Sequence, residues 1–411
     1  MEIKPKYRLF EVTGIELEYM IVDRDSLKIK SIADTLMSDK AGSFVADIEN
    51  GDIEWSNELV NHLIELKTHL PVKKLNGLSA SFHENICEIN ALLERHQAML
   101  LPTASHPFMD PDTETVLWKH DYSEIYDLYN KIFDCRGHGW SNLQSMHINL
   151  PFCNDDEFAQ LHAAIRLILP IIPAISASSP LLEGKPTGWA DSRMEAYLHH
   201  QETMPSLMGK LIPEAVFSED EYQIRIFNQI QKDIAAFDHQ HVMSHHFLNS
   251  RGAIARFDRG AIEIRVIDSQ ECPAADVAIA ALITEVLKLM VKEHWAKTNY
   301  QSFWHENDLF SIFNDVIRNA ENTIIHNTSY LRMFGIGEKK ISAKELWHYL
   351  FNSVIRNLKT SETEILKFII GNGSLSSRIM KRLNNHIHSE NIIEVYRELS
   401  VCLNDNKMFR P

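Results

Sequence analysis

Cysteine is scarce and unpatterned in this chain. Five residues in 411, Cys87, Cys135, Cys153, Cys272 and Cys402, lie too far apart to form a CxxC pair. An odd, scattered set excludes a disulfide framework and reads as the reduced thiols of a cytoplasmic protein. Long apolar runs are missing too. The most apolar stretch, 165–177, is broken by Pro170 and Pro173, short of the roughly 18 residues that a membrane helix needs. No membrane partner is expected, and the opening MEIKPKYRLFEVTG lacks the form of a signal peptide. Positive charge is in deficit: 41 Lys and Arg stand against 56 Asp and Glu, a net charge of −15. That balance excludes nucleic acid as a partner, because backbone recognition needs a basic surface. It leaves phosphate chemistry open, since a divalent cation lets acidic side chains and phosphates share one site. Glycine-rich phosphate loops are absent: there is no GxxxxGK[ST], and Gly335-Ile336-Gly337 lacks both a flanking strand and a third glycine. Any nucleotide would have to be held through metals and side chains.

What is present is an ordinary globular composition, 45% hydrophobic, in a chain long enough for one large domain or two intimate ones. Residues 7–23 alternate as a strand, with Ile15, Leu17 and Tyr19 on one face and Glu16 and Glu18 on the other. Residues 43–55 suggest a hairpin turning at Asn50-Gly51. Residues 57–68 fit either a helix or an extended segment, and 72–100 read as one long amphipathic helix. Residues 141–150 form a further strand. Asp155 and Asp156 can cap a helix running to Leu169, and a second helix lies around 189–202. Residues 252–268 form a hairpin whose second strand sets Ile262, Ile264 and Val266 against Glu263, Arg265 and Ile267. Pro273 opens a helix over 273–298. Three or four helices follow beyond residue 300. Without regular βα alternation, this order predicts an α+β fold, an antiparallel sheet packed with helices.

Chemistry concentrates on the strands. Glu16 and Glu18, two residues apart, leave from one face, where a hard cation would relieve their repulsion; the plainer reading is a solvated strand face. Glu58 and Glu65 are candidates of the same type, or surface charges. Glu263 and Arg265 repeat the two-residue spacing, either as an ion pair or as a metal ligand beside an oxyanion clamp. His147, in QSMHINL, is a core histidine or a ligand. Two other features compete weakly. His239, His241, His245 and His246 crowd together, but no HExxH pattern supports zinc. Cys135 stands near His138 without an orienting acid at a recognisable position.

Together these stretches resemble glutamate–cysteine ligase family 2, the carboxylate–amine ligases of the glutamine-synthetase-like superfamily. The matching segments are TGIELEYMIVD (13–23), HLIELKT (62–68), ASHPF (104–108), LQSMHINL (143–150), SASSPLLEGKPTGWADSR (176–193) and RGAIEIRVID (259–268). They follow the family's order from residue 13 to residue 268. Where the better-known branch carries a CGxHxHxG run, this chain reads LQSMHINLPF.

The resemblance implies an antiparallel sheet forming an active-site funnel. Glu16, Glu18, Glu65, His147 and Glu263, with Glu58 as an extra ligand, would hold two or three Mg2+ ions. ATP would be the co-substrate. Glu263 and Arg265 would be catalytic, with Arg265 facing a phosphoryl group, and Arg193, Ser178 and Ser179 would line the nucleotide and substrate side. The expected reaction joins glutamate to cysteine, as in glutathione biosynthesis. The alternatives are the same chemistry on another carboxylate or amine, and a hydrolase or binding module on the same scaffold. Residues 1–299 would form the catalytic domain, with 300–411 as a helical region packed on it and lacking chemistry of its own. Oligomeric state stays open, a homo-oligomer being the common default.

Overall fold

The structure, a computed structural model, describes residues 6–239, 242–243, 245–384 and 386–411. Its centre is an eight-stranded antiparallel sheet. The strands are β1 (Gly14–Asp23), β2 (Asp47–Asn50), β3 (Ile53–Asn57), β4 (Leu63–Thr68), β5 (Ala98–Leu101), β6 (Ser145–Pro151), β7 (Ala253–Arg256) and β8 (Ala261–Asp268). They run in the order β2-β3-β4-β1-β6-β8-β7. β1 is long enough to pair β6 along its first half and β5 along its second.

The apolar side chains of β1 fix which face is covered. Ile15, Leu17 and Tyr19 are fully buried in one continuous core with Ile64, Leu66, Ile148 and Ile264. The helices Leu78–Leu93, Asp155–Ile168 and Pro273–Val291 feed side chains into that same core. Each such apolar side chain contributes about 1.5–3 kcal/mol on burial. A one-residue slip of β1 would forfeit this and drive Glu16 and Glu18 into the core. The sheet's other face is therefore left for polar groups.

Several expectations change in detail. The ambiguous segment 57–68 is extended: β3 ends at Asn57 and β4 occupies Leu63–Thr68. The expected 72–100 helix covers only Leu78–Leu93, because Gln97 turns left-handed (φ 52°) and delivers Ala98–Leu101 to the edge of β1. Asn154, not Asp155 or Asp156, caps the next helix by accepting the Glu157 N–H. The 273–298 helix stops at Val291. Beyond residue 297 the described residues form seven α-helices and a short hairpin, in place of three or four helices. The hairpin at Asn50-Gly51 forms as expected, with Gly51 at φ +70°. Among the described residues no helix is long and apolar enough to cross a membrane.

His106, in the ASHPF segment, is locked in one neutral tautomer. Its Nε2–H donates to the Leu27 carbonyl (2.6 Å), and its Nδ1 accepts the Phe108 N–H (3.1 Å). Burial first, and His62 nearby, push it from 6.5 down to about 4, against the Leu27 hydrogen bond. A depressed imidazole contributes stability that is whole above 6.5 and lost as pH falls through about 4, because the unfolded chain takes a proton that the folded one refuses. By pH 5 the loss is about 2 kcal/mol. Urea unfolding at pH 7 and pH 5 should therefore show a smaller acid penalty in His106→Gln than in the parent chain, by about that amount. Equal penalties in the two proteins would overturn the assignment.

Candidate active site

Antiparallel register brings the strand carboxylates together on the uncovered face. Glu16 pairs with His147, Glu18 with Glu65, and Glu263 with Asn149. His147 is the hub. Its Nδ1 lies 2.8 Å from Glu16 Oε2 and 3.8 Å from Glu263 Oε1, and its Nε2 lies 2.9 Å from Ser145 Oγ. The Ser145 N–H and hydroxyl both donate to Glu18 Oε2 (2.6 and 2.9 Å), and the Asn149 amide donates to Glu16 Oε1 (2.9 Å). The two unspent neighbours of His147 at ±2 thus aim the carboxylates. Lys67, two residues beyond Glu65, lies 3.5 Å from Glu65 and 3.1 Å from Glu54.

The electrostatics divide the carboxylates. Burial would raise Glu16, but the hydrogen bond and charge of His147, aided by Arg259 and Asn149, hold it at about 2. Burial disfavours charge on His147, yet Glu16 raises it. Burial, then the charge of Glu18, lifts Glu58 to about 7. Burial, then Glu16 and Glu58, pushes Glu65 well above the usual range against the pull of Lys67. Acids converging in a low-dielectric wall with too little positive charge are the environment that a hard cation resolves. Two sets, Glu16–His147–Glu263 and Glu18–Glu65–His147, each offer ligand atoms within 4.8 Å of one another. This oxygen-rich donor set fits magnesium. Glu58 faces the same cavity outside both sets.

The cavity, about 200 Å³, is bounded by Glu18, Glu58, His147, Arg193 and Arg265, with an aromatic wall opposite. A β-bulge shapes it. The register of β8 against β6 shifts between Ile264 and Ile267, so that Arg265 and Val266 together stand across from His147. Bulges re-aim side chains. Here the guanidinium of Arg265 enters the cavity with its Nε 3.1 Å from Glu263 Oε1. The same extra residue reverses the alternation beyond it. Ile267, expected on the polar face, turns into the core opposite Met146, and Asp268 comes to the site face opposite Ser145.

The aromatic wall comes from helices and loops. Tyr126, Tyr129, Trp140 and Tyr197 line it. Tyr129 and Tyr197 donate their hydroxyls to the Phe247 and Ser250 carbonyls (2.8 and 3.0 Å), and the Trp140 Nε1–H donates to the His200 carbonyl (3.0 Å). Gly139 lets the Trp140 segment rest directly on the helix Ser192–His199, since a Cβ there would meet the Ala196 carbonyl at 2.5 Å.

Of the residues singled out from sequence, Glu16, Glu18, Glu65, His147, Glu263 and Arg265 converge on one face, and Glu58 and Arg193 line the cavity with Glu18, His147 and Arg265. Ser178 and Ser179 do not line it. They are fully buried, and their donors are spent on Asp268 and the Ser269 carbonyl. Cys135 is a buried thiol that burial, then Asp134, pushes up to about 12, unsuited to nucleophilic attack. His241 lies outside the described residues, and with it the zinc reading of the histidine run. Ser145, Asn149 and Lys67 were missed, although the same period of two that marks Glu16 and Glu18 links them to His147 and Glu65. The aromatic wall carries no comparable signal.

The sequence model of glutamate–cysteine ligase family 2 matches residues 12–318. An uncharacterised protein of Archaeoglobus fulgidus is 29% identical over 396 residues, covering 96% of this chain and 99% of that protein. Among solved structures, the glutamate–cysteine ligase of Francisella tularensis in complex with AMP superposes with a TM-score of 0.65 at 12% identity, covering 97% of this chain and 90% of that one. A bifunctional glutathione synthetase of Pasteurella multocida gives a TM-score of 0.63 at 12% identity, over 97% of this chain and 53% of that one. These likenesses establish the glutamine-synthetase-like fold. Family and fold together support an ATP-dependent carboxylate–amine ligase.

The crowded acids predict a cation-dependent melt. Magnesium at 100 times its Kd should stabilise the chain by about 2.7 kcal/mol, beyond any effect of sodium chloride at equal ionic strength. Glu65→Gln keeps the size of a carboxyl whose charge its surroundings oppose, so it should melt no lower than the parent without metal and lose most of the magnesium response. A thermal melt of both proteins checks this. A parent melting point indifferent to magnesium, or an undiminished response in Glu65→Gln, would sink the cation site.

Proposed function

This chain belongs to glutamate–cysteine ligase family 2, and from that premise we propose that it joins the side-chain carboxylate of glutamate to the amine of cysteine, driven by ATP through an acyl phosphate. The observation that carries the reading is the convergence of carboxylates from β1, β4 and β8 around His147 on one face of the sheet, where Glu18, His147 and Arg265 open onto the cavity. A free carboxylate resists attack by an amine because its oxide is a poor leaving group. In the proposed reaction a carboxylate oxygen attacks the γ-phosphorus of ATP and ADP departs. The amine nitrogen then attacks the acyl carbon, phosphate leaves, and the nitrogen gives up a proton.

The chain's own groups account for the requirements of that sequence. Glu16, Glu18, Glu65, His147 and Glu263, with Glu58 nearby, would hold magnesium, which supplies charge neutralisation on phosphate oxygens. Arg265, always charged and oriented by Glu263, balances charge on the transferring group. His147 and Asn149 fix Glu16, and Ser145 fixes Glu18, so the acids are placed before substrate arrives. The aromatic wall, with the Tyr129 and Tyr197 hydroxyls turned to backbone carbonyls, restricts water that would hydrolyse an acyl phosphate. A second reading keeps this chemistry with a different carboxylate or amine. LQSMHINL at the place of the better-known CGxHxHxG run favours it. ADP release across a panel of amines with glutamate fixed separates the two.

Glu16→Gln, Glu18→Gln and Glu263→Gln should each lower ADP release with glutamate and cysteine by at least about 100-fold at saturating magnesium. Their melts should stay close to the parent's, because glutamine keeps the size and one oxygen. Arg265→Lys should also be severe, since lysine keeps the charge but loses the planar fork. Near-parental turnover in all four variants, with unchanged melting, would remove the ligase reading.

A further inference from the structure

One buried carboxylate near the cavity takes no part in the acyl-phosphate chemistry. Asp268 closes β8, three residues beyond Arg265, and is inaccessible to solvent. It accepts from the Ser178 N–H (2.7 Å), the Ser179 hydroxyl (3.1 Å) and the Arg193 Nε–H (2.6 Å). The outer nitrogens of Arg193 reach back to the Arg265 carbonyl, each at 3.4 Å. The Ser179 hydroxyl also accepts the Arg193 N–H (3.1 Å). Three elements of the site thus meet on one side chain: the strand carrying Glu263 and Arg265, the serine loop, and the helix Ser192–His199, whose Arg193 lines the cavity.

Charge supports the arrangement. Asp191 caps that helix through the Met194 N–H (2.8 Å) and sits against Asp268. Burial, then the charge of Asp268, pushes Asp191 well above the usual carboxylate range. Arg193 stands beside both acids, its Nε 2.6 Å from Asp268 Oδ1. Arg193 is almost wholly buried (4% exposed) yet lines the cavity beside Glu18 and Arg265. A long, flexible cation in such a place is useful only if it is held still, and Asp268 and the Arg265 carbonyl together engage three of the five guanidinium N–H groups and leave two for a ligand.

We propose that Asp268 is a positioning residue that sets Arg193 at a fixed spacing from Arg265, making the two guanidiniums a paired receptor for an anionic substrate in the cavity. The proposal rests on the ligase reading only for the identity of that substrate. The serine loop, in this account, does not touch substrate: Ser178 and Ser179 hold Asp268. The β8 bulge is what makes the arrangement possible, since without it Asp268 would face the core.

A double-mutant cycle in the full chain tests it. Asp268→Asn is isosteric and removes the charge, and Arg193→Lys keeps the charge but lacks Nε. Each should raise the KM for glutamate by at least about tenfold while kcat changes less than about threefold, as expected for lost ground-state binding. The double variant should be no worse than Arg193→Lys alone, because Asp268 acts through Arg193. Additive losses, or a fall in kcat with an unchanged KM, would overturn the proposal. A second readout needs neither activity nor the variants' stability. In 15N spectra of the parent chain, the Arg193 Nε–H should exchange slowly and resonate apart from exposed arginines. An Arg193 Nε–H exchanging as fast as those of exposed arginines would equally overturn it. A parent chain with that protected signal but no ADP release on any amine would count against the ligase reading and leave the positioning of Arg193 standing.

Discussion

The site depends on the parity of β1. Ile15, Leu17 and Tyr19 are committed to the core, so Glu16 and Glu18 have nowhere to point but the opposite face. Parity alone would give a charged strand, which is common and inert. Register makes it a site: antiparallel pairing sets His147 across from Glu16 and Glu65 across from Glu18, so acids distant in sequence become direct neighbours. The core thereby determines the geometry of the polar face, and the apolar contacts that stabilise the sheet also hold the like charges together. That repulsion opposes folding locally. It is tolerable because the covered face supplies far more favourable free energy than the acids cost, and because His147 and Lys67 already neutralise part of the charge.

The bulge in β8 is the one break in this regularity, and it falls opposite the hub histidine. A perfectly alternating β8 would send Asp268 toward the core with Ile262 and Ile264. One extra residue moves Ile267 inward and Asp268 outward, so that the strand presents Glu263, Arg265 and Asp268 to the same side. The sheet gains a second kind of charge there. On the β1–β4 side the face is acidic, and on the β8 side it carries guanidiniums. The cavity lies between them.

Much of this was legible in the sequence. Glu16, Glu18 and His147 follow from a period of two, which survives wherever a strand is regular. The same rule, applied to the neighbours of His147 and Glu65, would also have found Ser145, Asn149 and Lys67. It failed beyond Ile264 because a bulge changes parity without leaving a glycine or proline to mark it. It failed again at 98–101, where an apolar run after a helix reads as helix and only the free edge of β1 makes it a strand. The serine loop was legible as a conspicuous segment, but its role was not. Whether a serine faces ligand or braces a buried acid depends on the partner 90 residues away. The aromatic wall is less legible still, since its members come from unrelated elements.

Among the described residues the helical region after residue 300 adds no carboxylate to the two ligand sets, yet it bears on the site. Three residues beyond Asp268, Glu271 is fully buried and paired with the fully buried Arg378, whose second outer nitrogen lies 3.2 Å from it. The Phe409 N–H donates to the same carboxylate, and Arg378 donates to the Phe409 carbonyl. The last residues of the chain are thus fastened to the loop that leaves β8. A buried ion pair of this kind is weak evidence of net stability, because desolvating both charges offsets most of their attraction. Its consequence is geometric. With each partner unable to relax toward water, the loop has one acceptable position, and the end of β8, with Asp268 and behind it Arg265, inherits that position. Anchoring of this sort suits a strand whose bulge leaves it with fewer ladder hydrogen bonds at the point where the site needs it held most firmly.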